Sequence, residues 1–252
     1  KEELEKDLLV PFLYGESIRR YQDLKAAKYL LLPYVKNKDD DNMSLIDIKE
    51  LKIKYPLTYR YLNKYKSVLL TRKIKMNDND YYKYSALRSI NYYERKKIMI
   101  PDMLVSLRIS YDFEGCFYHG PSIHSIIFNE KINNINEMYF YTILNSKIFW
   151  FFVSNTSTAL RGNAYRLTPE FISPFKFPNL DLNNKQDKEM HDKMVALVDS
   201  IIALNKKLAS EKNPNAITML NRQINAVVKQ IDSLVYKLYN LSDDEVRIIE
   251  GE

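Results

Sequence analysis

The chain has little of what most enzymes display in sequence. Of its 252 residues one is a cysteine, Cys116, which excludes an internal disulfide and fits a reducing compartment. A lone thiol without an evident base is also a weak nucleophile. Cys116, His119 and His124 could ligate zinc, but a fourth ligand is missing and the spacing matches no common site. A strand-borne thiol and two polar histidines is the plainer reading. There is no Asn-Pro-Pro-Tyr-like or Asp-Pro-Pro-Tyr tetrapeptide, and no glycine-rich loop between a strand and a helix, so a methyl donor is not bound in the usual way. A phosphate-binding P-loop is likewise absent. The nuclease pattern Pro-Asp…(Asp/Glu)-x-Lys nearly forms as Pro101–Asp102…Glu114, but position 116 is cysteine where lysine is needed. Asp47–Ile48–Lys49 holds the other half without a partner. The most apolar window, Met138–Val153, contains Asn145 and Lys147 and is shorter than the ~20 apolar residues a bilayer asks for. It reads as a buried helix. The chain opens at Lys1 on KEELEKD, which is no signal peptide; a fragment of a longer protein is expected.

What is present is tyrosine and positive charge. Hydrophobic residues make up 46% and charged ones 28%, the balance of an ordinary soluble globular chain, but 20 residues are tyrosine and 11 phenylalanine. The formal charge of +6 leans toward polyanionic partners. The basic run comprises Arg60, Lys64, Lys66, Arg72, Lys73, Lys75, Lys83, Arg88, Arg95, Lys96 and Lys97, interleaved with Tyr59, Tyr61, Tyr65, Tyr81, Tyr82, Tyr84, Tyr92 and Tyr93. Long cationic stems bind phosphates, and phenol rings offer a stacking face with a hydroxyl. The bland alternative is a solvated helix face beside half-buried tyrosines.

The centre of the chain, Lys96 to Phe128, predicts short strands: Lys97–Ile100, Arg108–Phe113, a Glu114–Gly115 turn, Cys116–His119 and Ser122–Phe128. Alternation places Arg108, Ser110 and Asp112 on one face and Ile109, Tyr111 and Phe113 on the other. One face then lies on a core and the other is open to a partner. Tyr29–Val35 predicts a strand with Pro33 near its end, and Lys36–Asn42 a charged loop. Helices are predicted from Ser44 through Leu51, over Tyr55–Lys66 past Pro56, and over Asn136–Phe152. SNTSTALRGNAYRL then reads as a polar loop turning at Gly162, Thr168–Pro169 as a helix start, and PFKFP (Pro174–Pro178) as a closing strand.

From Lys185 the pattern becomes heptad. Apolar residues fall at Met190, Met194, Leu197, Ile201, Leu204 and Leu208, and again at Ile217, Leu220, Ile224, Val227, Ile231, Leu234 and Leu238. Joined at Asn213–Pro214, these stripes predict an antiparallel helical hairpin of coiled-coil type, about 185–212 and 215–240. Ser242–Asp244 caps a last short helix.

Several segments resemble a known family when taken in order. LLVPFLYGESIRRY and YLLLPY are similar to the opening of the TaqI-like C-terminal specificity domain, a Gly-x-x-Ile-x-x-Tyr element before a strand ending near Pro-Tyr; the residues are Gly15, Ile18, Tyr21, Pro33 and Tyr34. The likeness continues with Pro56, Tyr61, Leu62, Leu69 and Arg72, then Tyr81–Tyr82, KIMIPDM, the hairpin YDFEGCFYHG, ILNSKIFWFFV with Leu144, Asn145 and Ser146, and LVYKLYNLSDDEVRIIEG. It extends over nearly the whole chain. The resemblance implies a target recognition domain from a type IIG restriction–modification or adenine-N6 DNA methyltransferase protein, whose catalysis lies in an upstream methyltransferase domain and sometimes a nuclease domain. S-adenosylmethionine and Mg are expected only for those missing domains, and no cofactor here. Such a domain reads duplex DNA so that the target adenine can be flipped out.

The fold expected is α+β: a mixed, curved β-sheet recognition domain over 1–182 with packed helices, followed by the helical hairpin over 183–252. For phosphate contacts the expected residues are Arg60, Lys64, Arg72, Lys73, Lys75, Arg95, Lys96 and Lys97. For base edges they are Arg108, Ser110, His119, Ser157, Arg161, Asn163 and Arg166, because arginine on guanine and asparagine on adenine are the pairings that discriminate bases. The hairpin has two readings, a structural strut or a docking arm toward the methyltransferase domain or a second subunit. No membrane partner is expected, and the setting is a prokaryotic cytoplasm near the nucleoid. A rival reading is a protein-interaction module whose basic tyrosine-rich face binds an acidic protein. Another is an intact enzyme built on Cys116, His119 and His124.

Overall fold

The computed structural model describes residues 3–26, 28–37, 42–87, 90–128 and 134–251. In chain order its strands are β1 (Leu9–Leu13), β2 (Lys28–Leu31), β3 (Tyr34–Lys36), β4 (Met43–Leu45), β5 (Lys97–Pro101), β6 (Met103–Leu104), β7 (Ser110–Asp112), β8 (Tyr118–His119), β9 (Ile123–Ile126), β10 (Ala159–Leu160) and β11 (Ala164–Arg166). The helices are α1 (Ile48–Lys54), α2 (Pro56–Lys64), α3 (Lys66–Leu70), α4 (Glu137–Leu144), α5 (Lys147–Thr156), α6 (Pro169–Ile172), α7 (Lys185–Ser210), α8 (Pro214–Leu238) and α9 (Asp243–Glu250). This is an α+β chain whose strands lie in several small sheets. No described helix is long and apolar enough to cross a membrane. Arg88 and residues 38–41 of the charged loop lie outside the described residues.

Two compact units are interleaved along the chain: Lys1–Leu13, Ala26–Arg95 and Glu114–His119 form the first, and Tyr14–Lys25, Lys96–Phe113 and Gly120–Glu252 the second.

In the first unit β1 is the middle strand of a sheet, antiparallel to β2 (Val10↔Leu30) and parallel to β8 (Phe12↔Tyr118). The strand expected over Tyr29–Val35 is cut at Leu32–Pro33, and its second half, β3, pairs with β4. The helix expected from Ser44 starts instead at Ile48, where the Asp47 carboxylate accepts from the Lys49 N–H at 2.8 Å; an N-cap oxygen satisfies a donor that no helical carbonyl reaches. α2 begins with Pro56 as expected, but its cap comes from far away. Glu5 accepts from the N–H groups of Leu57 and Thr58, both at 2.8 Å, and from the Thr58 hydroxyl at 2.6 Å. Burial acts to raise the Glu5 pKa, and these bonds outweigh it, holding the carboxyl below its usual value. The core takes up much of the tyrosine: Tyr34, Tyr55, Tyr81, Tyr82 and Tyr118 are all buried. Tyr82 donates its hydroxyl to the Ile46 carbonyl at 2.6 Å. A phenol ring fills apolar space while its hydroxyl finds a backbone partner, so these tyrosines are structural.

In the second unit β5 is flanked by β7 and β9 and is buried along its whole length. The hairpin expected across Glu114–Gly115 does not form. Gly115 makes a left-handed turn at φ 64°, but β7 pairs with β5 and β8 with β1. Nor is one face of β7 open: Ser110 and Asp112 are as buried as Ile109 and Tyr111. The single helix expected over Asn136–Phe152 is broken at Asn145–Ser146 into α4 and α5. The Asn145 amide donates to the carbonyls of Ile109 and Tyr141, and Ser146 caps α5 by accepting from Phe149 N–H. PFKFP is not a strand, since proline lacks the ladder donor. Its Phe175 and Phe177 enter the core, edge-on to Phe149 and Phe140. The expected C-terminal helical pair forms as α7 and α8, α8 being capped by Asn213 with Pro214 in its first turn. Its Met194, Val198, Ile201, Ile231 and Val235 share one core with Tyr139, Leu144 and Phe149. At roughly 1.5–3 kcal/mol for each large apolar side chain removed from water, that shared face binds the hairpin to α4 and α5.

Candidate nucleic-acid interface

Within the second unit, three short segments converge beyond the end of β5. The residue after β5, Asp102, is clamped on both sides of its backbone: its N–H donates to the Ser122 carbonyl at 3.0 Å and its carbonyl accepts from Leu167 N–H at 2.8 Å. β6 follows and pairs with β11 (Met103↔Arg166, Leu104↔Tyr165). β11 in turn pairs with β10, so the segment expected as a loop is a tight hairpin with Gly162 and Asn163 at φ 79° and 56°. Positive φ suits glycine and is tolerated by asparagine. The third segment is Tyr14–Glu16. Gly15 N–H donates to Ser122 Oγ at 3.1 Å, and a Cβ on Gly15 would lie 2.6 Å from the Ser122 carbonyl oxygen. Only a residue without a side chain permits that approach.

These segments enclose an open groove of about 580 Å³, lined by Tyr14, Glu16, Asp102, Met103, Arg108 and Arg161 among others. Arg108 donates to the Met103 carbonyl at 3.2 Å, and its buried Nε has no hydrogen-bond partner. Burial, and then the nearby Arg19 guanidinium, lowers the Arg108 pKa, though arginine stays charged at neutral pH. Arg161 is exposed in the hairpin turn. Asn163 and Arg166 are exposed on the same hairpin. Met103 and Val105 add exposed apolar surface. Guanidinium donors beside apolar contacts are the means by which base edges and thymine methyls are read.

The other expected contacts divide sharply. In the first unit Arg60 and Lys64 lie exposed one turn apart on α2, and Lys73, Lys75 and Arg95 are exposed further along. Arg72 does not fit a phosphate role. Its guanidinium donates to the carbonyls of Leu69, Tyr81 and Lys83, so it ties the loop after α3 to the Tyr81–Lys83 turn. His119 is half-buried, edge-on to Tyr93, whose hydroxyl donates to the His119 carbonyl at 3.1 Å; burial raises the Tyr93 pKa.

In the second unit Lys96 is exposed, but Lys97 is not available to a phosphate. It is fully buried, with its ammonium 2.6 Å from Asp112 directly across the ladder. Ser110 is also buried and donates to the Arg19 carbonyl, which removes it from base reading. Ser157 closes α5 and is half-buried, its Oγ without a hydrogen-bond partner. Sequence reasoning passed over Tyr14, Glu16 and Asp102 as groove residues; only Asp102 had a signal, as half of a nuclease pattern. His124 lies beside Asp102 in this unit, whereas Cys116 and His119 belong to the first. Among the described residues no three His, Cys, Asp or Glu side chains converge on a metal-sized space.

A family model described as the TaqI-like C-terminal specificity domain matches residues 10–175. The chain belongs to that family. No curated protein matches it. The specificity-domain match takes in every segment that lines the groove, from Tyr14 to Ala164. The helical hairpin and α9 lie beyond the matched stretch. Membership makes this a specificity domain by description, the part that selects rather than the part that reacts.

Proposed function

We propose that this chain reads the base sequence of double-stranded DNA for a restriction–modification protein and carries no reactive centre of its own. The observation that carries the reading is family membership over residues 10–175. It is supported by a groove that Arg108 and Arg161 both line. Arg108, Arg161 and Arg166 offer bidentate donors to guanine, and Asn163 suits adenine; His119 and Ser157 remain base-edge candidates. Phosphate contacts fall to Arg60, Lys64, Lys73, Lys75, Arg95 and Lys96. The chemistry belongs to an upstream adenine-N6 methyltransferase domain, for which S-adenosylmethionine is the methyl donor, and Mg serves any accompanying nuclease. The setting is a prokaryotic cytoplasm, on the nucleoid. The helical hairpin acts as a strut, its apolar stripes from Met190 to Ile201 and from Ile224 to Leu238 being taken up in the core of the second unit.

The test is binding of the full chain to duplex DNA across a salt series. Affinity should fall steeply and linearly on a log–log plot. Lys73→Ala should weaken all sequences alike and reduce the slope by about 1, and Arg161→Ala should relax preference at one base pair. A flat salt response overturns the proposal and favours the acidic-partner module instead.

A further inference from the structure

The groove holds acid as well as base, and a DNA reader has to account for it. Asp102 lines the same space as Arg108 and Arg161. A carboxylate facing a polyanion is repelled by every phosphate and accepts from none of them. What duplex DNA does offer it are exocyclic amines. Adenine presents its major-groove amine beside the N7 acceptor, whose lone pair opposes a carboxylate, whereas cytosine presents the N4 donor alone.

We infer that Asp102 is a specificity-determining residue that accepts a hydrogen bond from cytosine N4; this rests on the DNA-reading role proposed above. Three features prepare the side chain for it. Its backbone is held from both directions by Ser122 and Leu167, so its Cα is fixed where β5, β9 and β11 meet. His124 Nε2 lies 3.1 Å from Asp102 Oδ1, and since a carboxylate accepts, the imidazole is the donor. His124 sits on β9 opposite Ile100 of β5, which orients the ring by the ladder itself. The second oxygen, Oδ2, has no hydrogen-bond partner among the described residues, and the side chain keeps 22% of its surface open. A fixed, charged acceptor with one oxygen spare is suited to a single donor. With a guanidinium in the same groove, the pair matches the two bases of a G·C pair or of neighbouring pairs.

The experiment selects from a randomised duplex library with the full chain and reads base preference at each position. Wild type should select cytosine at one position. Asp102→Ala should lose that preference alone, by roughly 5- to 150-fold for a contact worth about 1–3 kcal/mol, while the salt slope and the preference governed by Arg161 stay as they were. Asp102→Asn keeps an acceptor for His124 and puts a donor where the spare oxygen was, so it should lose the cytosine preference and turn the same position toward a base that offers an acceptor there. It serves as the second variant if the alanine form folds poorly, judged by the Trp150 fluorescence transition. Unchanged base preference in both variants, or a uniform loss across all positions, overturns the inference while the DNA-reading role stands. Absence of salt-sensitive duplex binding by wild type overturns both, and is seen before any substitution is made.

Discussion

Lys97→Ala removes one half of an ion pair that spans two neighbouring strands, and its consequences separate a structural lysine from a phosphate-binding one. Lys97 and Asp112 face each other in the β5–β7 ladder with their charged atoms 2.6 Å apart and at most 1% of either side chain exposed. At an effective dielectric constant of ~20 their attraction is about 6 kcal/mol. Desolvation of each ion costs several kcal/mol, so the intact pair is close to neutral against an apolar one, whereas removing one partner costs about 3–5 kcal/mol. The alanine variant leaves the Asp112 carboxylate buried without its Lys97 countercharge. Urea unfolding followed by Trp150, the single tryptophan, reads this directly, because Trp150 lies on α5 in the same unit. With a slope of about 2 kcal/mol per molar, the midpoint should fall by roughly 1.5–2.5 M. Lys97→Met combined with Asp112→Leu should recover most of the loss. DNA affinity of the folded alanine variant should keep its salt slope. A midpoint shift below about 0.5 M together with a slope reduced by about 1 would show that Lys97 reaches a phosphate after all.

Glu5→Gln should weaken the start of α2 by about 0.5–2 kcal/mol. The Glu5 pKa is lowered on folding, so its contribution is present above the unfolded carboxyl value and is lost as pH falls through the folded one. Thermal melts of wild type between neutral and acid pH should show that loss, and the glutamine variant should lack this component. Gly15→Ala forces a Cβ against the Ser122 carbonyl; the backbone shift should cost about 1–3 kcal/mol in Trp150-monitored urea unfolding and disturb base preference through the groove wall.

The legible parts of the fold were those set by residues near one another in sequence. Met190 to Leu238 repeats at helical spacing, and Asn213–Pro214 and Ser242 carry their own capping chemistry, so α7, α8 and α9 could be read directly. Strand pairing could not. Ser110–Asp112 has the right alternation, but alternation does not say which strand lies beside it, and β5 rather than Cys116–His119 supplied the partner. Lys97 illustrates the same limit: its charge predicted a surface, and only the opposite Asp112 explains its burial. Tyrosine left both readings open because its ring and hydroxyl serve a core and a surface equally well. In the groove, Gly162 marked a turn in sequence, with Arg161, Asn163 and Arg166 beside it. Asp102 and Arg108 meet Arg161 only through the pairing of β6 with β11.

The interleaving of the two units bears on how such readers are recombined. Residues 14–25 leave the first unit between β1 and β2 to supply one groove wall, and residues 114–119 return to add β8 beside β1. A hybrid made by joining two relatives at one point would therefore split a sheet or strip the groove of a side. On the proposed reading, altering selectivity by transplant means carrying Tyr14–Glu16, Pro101–Arg108 and Arg161–Ala164 as a set, while the first unit keeps its own third strand.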